Sequence, residues 1–304
     1  EVIFLECDSL NSSNTTANDL TTSGSSLNSS GDTFGTADVT ANSIQFTNTI
    51  LNELDVAGDF LGFTNTTMDN LDVVHGNVSA TNSNLGGVTA ATVSDFILEY
   101  SDLQSLIIPA GGVVEMDHVN VTGSGSGVYI SGSTGALHAV YSRFEGNGGD
   151  GIEINSNSGQ LDLMNCIVNG NDSRGVYSNV PTNIAYTTIA DNGGTAVQKG
   201  STPSQFAFEV SNSILTLNGG TTSGSMLTEY NYTENYPQFA DDDYHLQSYS
   251  PAVDAAMPWH TDQNMPFGMG GLRADMGAYG GPDNAGWGGE AAPSGSANIA
   301  TITD

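Results

Sequence analysis

Six-residue blocks that end in an apolar residue recur down this chain, and their recurrence limits its folds more than any other feature. FTNTIL at 46–51 is answered by FTNTTM at 63–68. The full series reads LECDSL, SSGDTF, FTNTIL, FTNTTM, ATNSNL, LEYSDL, MDHVNV, AVYSRF, LMNCIV, IAYTTI and VSNSIL. Its last residues are Leu10, Phe34, Leu51, Met68, Leu85, Leu103, Val121, Phe144, Val168, Ile189 and Leu215, at intervals of 24, 17, 17, 17, 18, 18, 23, 24, 21 and 26. Most blocks open on an apolar residue, carry Asn, Tyr or His third and keep the fourth position small. Disorder would lack such periodicity, even though only 38% of the chain is hydrophobic.

Helical repeats of the common kinds run 33 residues or more, and the leucine-rich repeat needs leucines that are absent here. Intervals of this length, rich in Asn, Gly and β-branched residues, suit one turn of a parallel β-helix. The first and sixth positions of a block are an odd number apart, so on one straight strand they would face opposite sides. A bend near the third position turns both inward. The series Asn48, Asn65, Asn82, Tyr100, His118, Tyr141, Asn165, Tyr186 and Asn212 is then expected as a polar and aromatic ladder at that bend. A second strand echoes after each block, as Leu54-Asp55-Val56 and Leu71-Asp72-Val73, and later as Gly127-Val128, Gly151-Ile152 and Gly175-Val176. EGNGGDG and NGNDSRG between them read as turns. About eleven rungs, spaced roughly 4.8 Å apart, predict an all-β rod over residues 1–220.

The pattern stops after Leu215. Tyr236-Pro237 with Phe239, Asp243-Tyr244-His245-Leu246, Ser250-Pro251-Ala252-Val253-Asp254 and Arg273 with Asp275-Met276-Gly277-Ala278-Tyr279 follow in that order. Together with the rungs, these elements resemble the secreted bacterial right-handed parallel β-helix proteins, pectate-lyase-like, that carry a choice-of-anchor Q type C-terminal region. The resemblance covers most of residues 100–281 and implies the right-handed solenoid rather than any one activity. Gly280 stands where that family often has an acidic residue. On chemistry alone, residues 221–284 are expected to cap the solenoid, with Arg273 charge-paired to Asp254 and Asp275. Residues 285–304 read as a Gly/Pro/Ser linker and a terminal strand.

With 34 acidic and 4 basic side chains, the net charge is −30. Such a balance excludes nucleic acid and disfavours anionic membranes, both of which call for Lys and Arg. It suits a salty or cation-rich extracellular medium. No run of 18 apolar residues occurs, so no spanning helix is expected, and EVIFLECDSL shows no signal-peptide pattern. Cys7 and Cys166 fall in the first and ninth blocks, too far apart to bond. The five histidines lack zinc spacing. Calcium is the metal these oxygen-rich residues favour, and Asp241, Asp242 and Asp243 form the densest acidic run, although no EF-hand surrounds them.

Many parallel β-helices cut polysaccharides. A lyase would need a basic group, and only Arg143, Arg174, Lys199 and Arg273 are present. A hydrolase would need two carboxylates about 5–9 Å apart, for which Glu145, Asp150 and Glu153 are the candidates. The expected partner is another copy of the chain. The apolar opening Val2–Leu5 suggests an uncovered first rung, and the tail ANIATITD a strand to cover that of the next subunit. A monomeric adhesin or carbohydrate-binding module is the alternative, with polysaccharide as partner. Eight N-x-S/T sequons, at Asn11, Asn14, Asn28, Asn65, Asn77, Asn120, Asn171 and Asn231, follow in part from the abundance of Asn, Ser and Thr.

Overall fold

The structure, a computed structural model, describes residues 2–6, 8–201, 207–263, 271 and 273–287. The chain coils as a right-handed parallel β-helix, the hand that nearly all parallel crossovers take. β1 (Val2–Glu6) and β2 (Ser9–Ser13) pair with successive parts of β3 (Thr16–Ser30), and β4 (Thr33–Thr47), β5 (Ile50–Thr64) and β6 (Thr67–Thr81) stack on it. Beyond β6 each coil divides into three shorter strands on three faces. The strand entering the bend belongs to the stack Asp95–Glu99, Gly112–Asp117, Gly135–Val140, Gly159–Met164, Thr182–Ala185, Phe208–Ser211 and Leu227–Glu229. The strand leaving the bend belongs to a 6-stranded sheet from Asp102–Leu103 to Ile214–Thr216. The third stack runs from Gly87–Ala90 to Gly220–Ser223.

The echo at FTNTIL is literal. Phe46 pairs with Phe63, Leu51 with Met68, and the two phenyl rings stack at 5.9 Å with planes 2° apart. Leu54-Asp55-Val56 lies in register with Leu71-Asp72-Val73, and Val128, Ile152 and Val176 form one column. Sixth positions from Phe34 to Leu215 are all buried, as are the first positions Phe46, Phe63, Leu98, Met116, Leu163, Ile184 and Val210. The core is therefore a stack of like side chains along the axis, each removed from water at roughly 25 cal/mol per Å².

The inward turn of both positions comes from the third residue, which is left-handed in every block after the first. Asn48, Asn65, Asn82, Tyr100, His118, Tyr141, Asn165, Tyr186 and Asn212 have φ of 47–55°. Asn14, Gly31 and Tyr230 extend the series at both ends. Asn tolerates this region best among residues with a side chain, and Asn65 Nδ2 donates to Asn48 Oδ1 at 3.1 Å. Replacing Asn65 with Val should cost about 1–3 kcal/mol, because a β-branched residue is strained at positive φ. Urea unfolding of Asn65→Val beside Asn65→Gly tests this, with the Gly variant expected near wild type.

The small fourth residue closes the corner. Thr66 N–H donates to Ser83 Oγ, Ser83 N–H to Ser101 Oγ and Thr187 N–H to Ser213 Oγ, each at 3.1 Å. Cys166 fills this position as a buried free thiol, with Sγ donating to the carbonyls of Ala139 and Met164. Burial pushes that thiol up to about 12, so it is inert at neutral pH.

One expectation needs correction. LECDSL is out of register, since Leu10 pairs with Leu27 on the strand entering the bend. The true block there is SSNTTA, whose Ala17 stacks under Phe34. Cys7 and residues 288–304, which include the proposed terminal strand, lie outside the described residues. A second ladder runs inside the coil. Asn147 Nδ2 donates to Asn171 Oδ1 at 2.8 Å, Asn171 Nδ2 to Asn192 Oδ1 at 2.7 Å and Asn192 Nδ2 to Asn218 Oδ1 at 2.8 Å. Asn147, Asn171 and Asn192 are buried, and each also donates to a carbonyl of an earlier coil, at Val121, Phe144 and Val168 respectively.

Candidate functional site

The described residues between 236 and 287 form a strap along the outside of the coil and follow the left-handed corners backward. Asn212 Oδ1 accepts the Met257 N–H at 2.8 Å, and the Tyr186 hydroxyl meets His260 Nδ1. Asn165 Nδ2 donates to the carbonyls of Ala278 and Gly280 at 2.8 and 2.7 Å, and Tyr141 O–H donates to the Asp283 carbonyl at 2.5 Å. His118 Nε2 meets the Gly286 carbonyl. Ile167, Ala190 and Ile214, which point outward, are covered by Tyr244, Leu246, Ala252, Ala274, Met276 and Ala278. The corner ladder thus serves as a docking rail in the second half, while Asn48 and Tyr100 in the first half stay exposed.

Where the strap ends, charged and aromatic groups gather. Arg143 pairs with Asp243 at 3.1 Å, donates to Tyr279 Oη at 3.0 Å and lies 5.2 Å from the Trp287 ring. His245 stacks on Tyr279 at 4.1 Å. Asp241 accepts the amides of Asp243 and His245 at 3.1 Å and meets His245 Nδ1 at 2.8 Å. Burial pushes its carboxyl up, but the His245 bonds outweigh this and hold it below the usual range. The run Asp241, Asp242, Asp243 therefore faces several partners rather than one centre. Among the described residues, one acidic trio brings an oxygen from each member within 4.8 Å, namely the exposed Glu53, Asp55 and Asp72.

Arg273 also differs from expectation. Its Nε donates to the Ala256 carbonyl and a terminal nitrogen to that of Ala255, and the guanidinium lies over Tyr230 at 6.0 Å. Asp254 and Asp275 are held by backbone instead. Asp275 Oδ1 accepts the Asp254 N–H at 2.7 Å, Asp254 accepts the Gly271 N–H, and Asp262 accepts the amides of Asp275 and Gly281. Burial, then the charge of Asp275, pushes the Asp262 carboxyl up to about 7, and burial pushes Asp275 to about 6.

Of the hydrolase candidates, Asp150 is tied to Arg174. The guanidinium spans both carboxylate oxygens and stacks on Tyr177 at 4.2 Å. Burial raises the Asp150 carboxyl, but the Arg174 bonds outweigh it and lower it overall. Glu153 is pushed up by burial and by Asp150, and sits in register between Tyr129 and Tyr177. Glu145 lies 3.9 Å from Arg143. Asp150 and Glu153 thus share the field of Arg174, while Glu145 lies against a different cation, Arg143.

A groove of about 490 Å³ crosses the outer surface of the strands entering the bend. Phe60, Gln45, Asn77, Asp95, Ile97 and Glu115 line it, with the small residues Gly62 and Ser79 between them. Phe60 is 64% exposed. Beside it the β5–β6 register slips between Val56 and Ala57 and again between Ala57 and Phe60. Such irregularities re-aim side chains, and here an unburied phenyl shares the groove with polar side chains, the Gln45 amide lying against Gly62. Nothing in the sequence marks this set, because its members are outward residues drawn from five successive coils, those of Gln45, Phe60, Asn77, Asp95 and Glu115.

At the last coil the inward columns end on Thr222, Thr228 and Thr233, all exposed. Among the described residues, no strand pairs with the outer edge of Gly220–Ser223 or Leu227–Glu229.

The fold makes this chain a member of the parallel β-helix class of solenoids. No protein-family model and no curated protein matches it. A solved structure to which it is similar is the crystal structure of pectate lyase Pel9A, at 13% identity and a TM-score of 0.44, covering 91% of this chain and 87% of that one.

Proposed function

We propose that the protein is an extracellular, surface-associated module that binds a neutral polysaccharide along the Phe60 groove. The exposed Phe60 ring, in a groove it shares with Ser79 and with the Gln45 amide lying against Gly62, carries the reading. An aromatic face beside small residues accommodates the apolar face of a sugar ring, and Gln45, Asn77, Asp95 and Glu115 offer hydrogen bonds to its hydroxyls. The carboxylates of Asp95 and Glu115, in a chain of net charge −30, repel uronate polymers and admit neutral ones.

Calorimetric titration with neutral glucan and xylan fragments, beside oligogalacturonate, tests the reading. Neutral fragments are expected to bind, and Phe60→Ala to weaken them at least tenfold without moving the melting temperature, because the ring is exposed. Equal affinity for oligogalacturonate, or binding indifferent to Phe60→Ala, overturns it.

A second reading rests on the last coil. Its unpaired edge can accept a strand from another copy, giving an open, head-to-tail filament. The terminal threonines tolerate both water and a stacked neighbour. Negative-stain microscopy across a concentration series should then show rods that shorten when Leu227→Pro or Thr228→Pro blocks the edge. Single particles at every concentration would remove this reading.

A further inference from the structure

We infer a calcium site in the knot formed by Asp254, Asp262 and Asp275. The three carboxylates come from separate turns of the strap, drawn together by the backbone bonds described above, which run from Asp254 to Asp275 and from Asp275 to Asp262. Asp275 is 1% exposed, and its Oδ2 has no hydrogen-bond partner. Oδ1 of the same group accepts the Asp254 amide, which fixes the carboxylate against residue 254, and the charges of Asp254 and Asp275 both act on Asp262. A buried, unpaired carboxylate oxygen is costly to keep. Arg273, the nearest basic side chain in sequence, does not relieve it, because its guanidinium is committed to the carbonyls of Ala255 and Ala256.

Calcium fits this donor set better than the alternatives. Hard carboxylate oxygens exclude soft metals, and calcium tolerates irregular shells completed by carbonyls and water, whereas magnesium demands a near-ideal octahedron. The three carboxylates stand farther apart than the exposed trio Glu53, Asp55 and Asp72, whose oxygens lie within 4.8 Å of one another. The ion would tighten the knot around Asp275 Oδ2. Because the knot belongs to the strap, calcium would hold the strap on the corner rail.

The test uses the full chain after chelator treatment, at pH 8. Calorimetric titration with calcium is expected to show one site, and saturating calcium to raise the melting temperature by about 4 °C. Asp275→Asn and, separately, Asp262→Asn should weaken that site at least tenfold, while Asp55→Asn leaves it unchanged. Far-UV circular dichroism identifies any variant that fails to fold, and the other knot variant then carries the test. Absence of calcium binding overturns the proposal. So does binding that survives both knot variants or disappears with Asp55→Asn, which would assign it to the exposed trio.

Discussion

Replacing Asn171 with alanine is expected to destabilise the second half of the coil by about 3–5 kcal/mol. The side chain is buried, accepts both the backbone and side-chain N–H of Asn147, and donates to the Phe144 carbonyl and to Asn192. Its loss orphans several polar groups in one layer, each worth about 1–3 kcal/mol when buried unpaired. Asn171→Asp sets a buried carboxylate against the Phe144 carbonyl and Asn192 Oδ1, two acceptors, so it should cost at least as much as alanine at pH 7. Solenoids respond locally to such damage because each coil touches only its neighbours. Hydrogen exchange should accordingly show faster opening around residues 144–195, with β3–β6 little affected. Uniform loss of protection along the rod would refute the local picture.

The second large effect concerns Arg174. Asp150 is 3% exposed and Arg174 is its ion-pair partner. Arg174→Met should cost about 3–5 kcal/mol at pH 7, because it leaves a buried charge without a counterion. The pH dependence fixes the cause. In the wild type the Asp150 carboxyl is lowered, so its contribution is present above the unfolded value near 3.8 and is lost as the pH falls through the lower folded value. Without the guanidinium the same burial raises the carboxyl, and that variant gains stability relative to wild type as acid is added. Urea melts at pH 7 and pH 3.5 should show the gap between the two proteins closing. A gap that persists at pH 3.5 would assign the loss to the packing of Arg174 on Tyr177.

These two sites show how legibility varied along the chain. FTNTIL and FTNTTM disclosed the coil because stacking repeats both spacing and residue type, and the odd separation of first and sixth positions demanded the bend that Asn48 and Asn65 provide. LECDSL mimicked the pattern by composition alone, and its 24-residue step to Phe34 concealed the short block ending in Ala17. Asn147, Asn171 and Asn192 sat in Gly-rich stretches whose turn character was legible, yet a turn residue and a buried ladder residue look alike in a string of letters. Arg273 between two aspartates suggested an ion pair, but backbone carbonyls nearby claimed the guanidinium. The groove was invisible for a plainer reason. Outward positions are free to vary from coil to coil, so Phe60, Gln45 and Glu115 share no motif and meet only once the rungs are stacked.

The equal length and spacing of β3 to β6 have one further consequence. These four strands are each 15 residues long and repeat at 17, and the strap's described hydrogen bonds reach back only as far as His118. Inserting or deleting one such unit would move the ends of the rod by about 4.8 Å and leave the strap and its rail untouched. Reach and attachment are therefore separable quantities here, with the first half of the chain acting as a spacer whose length can change in fixed increments.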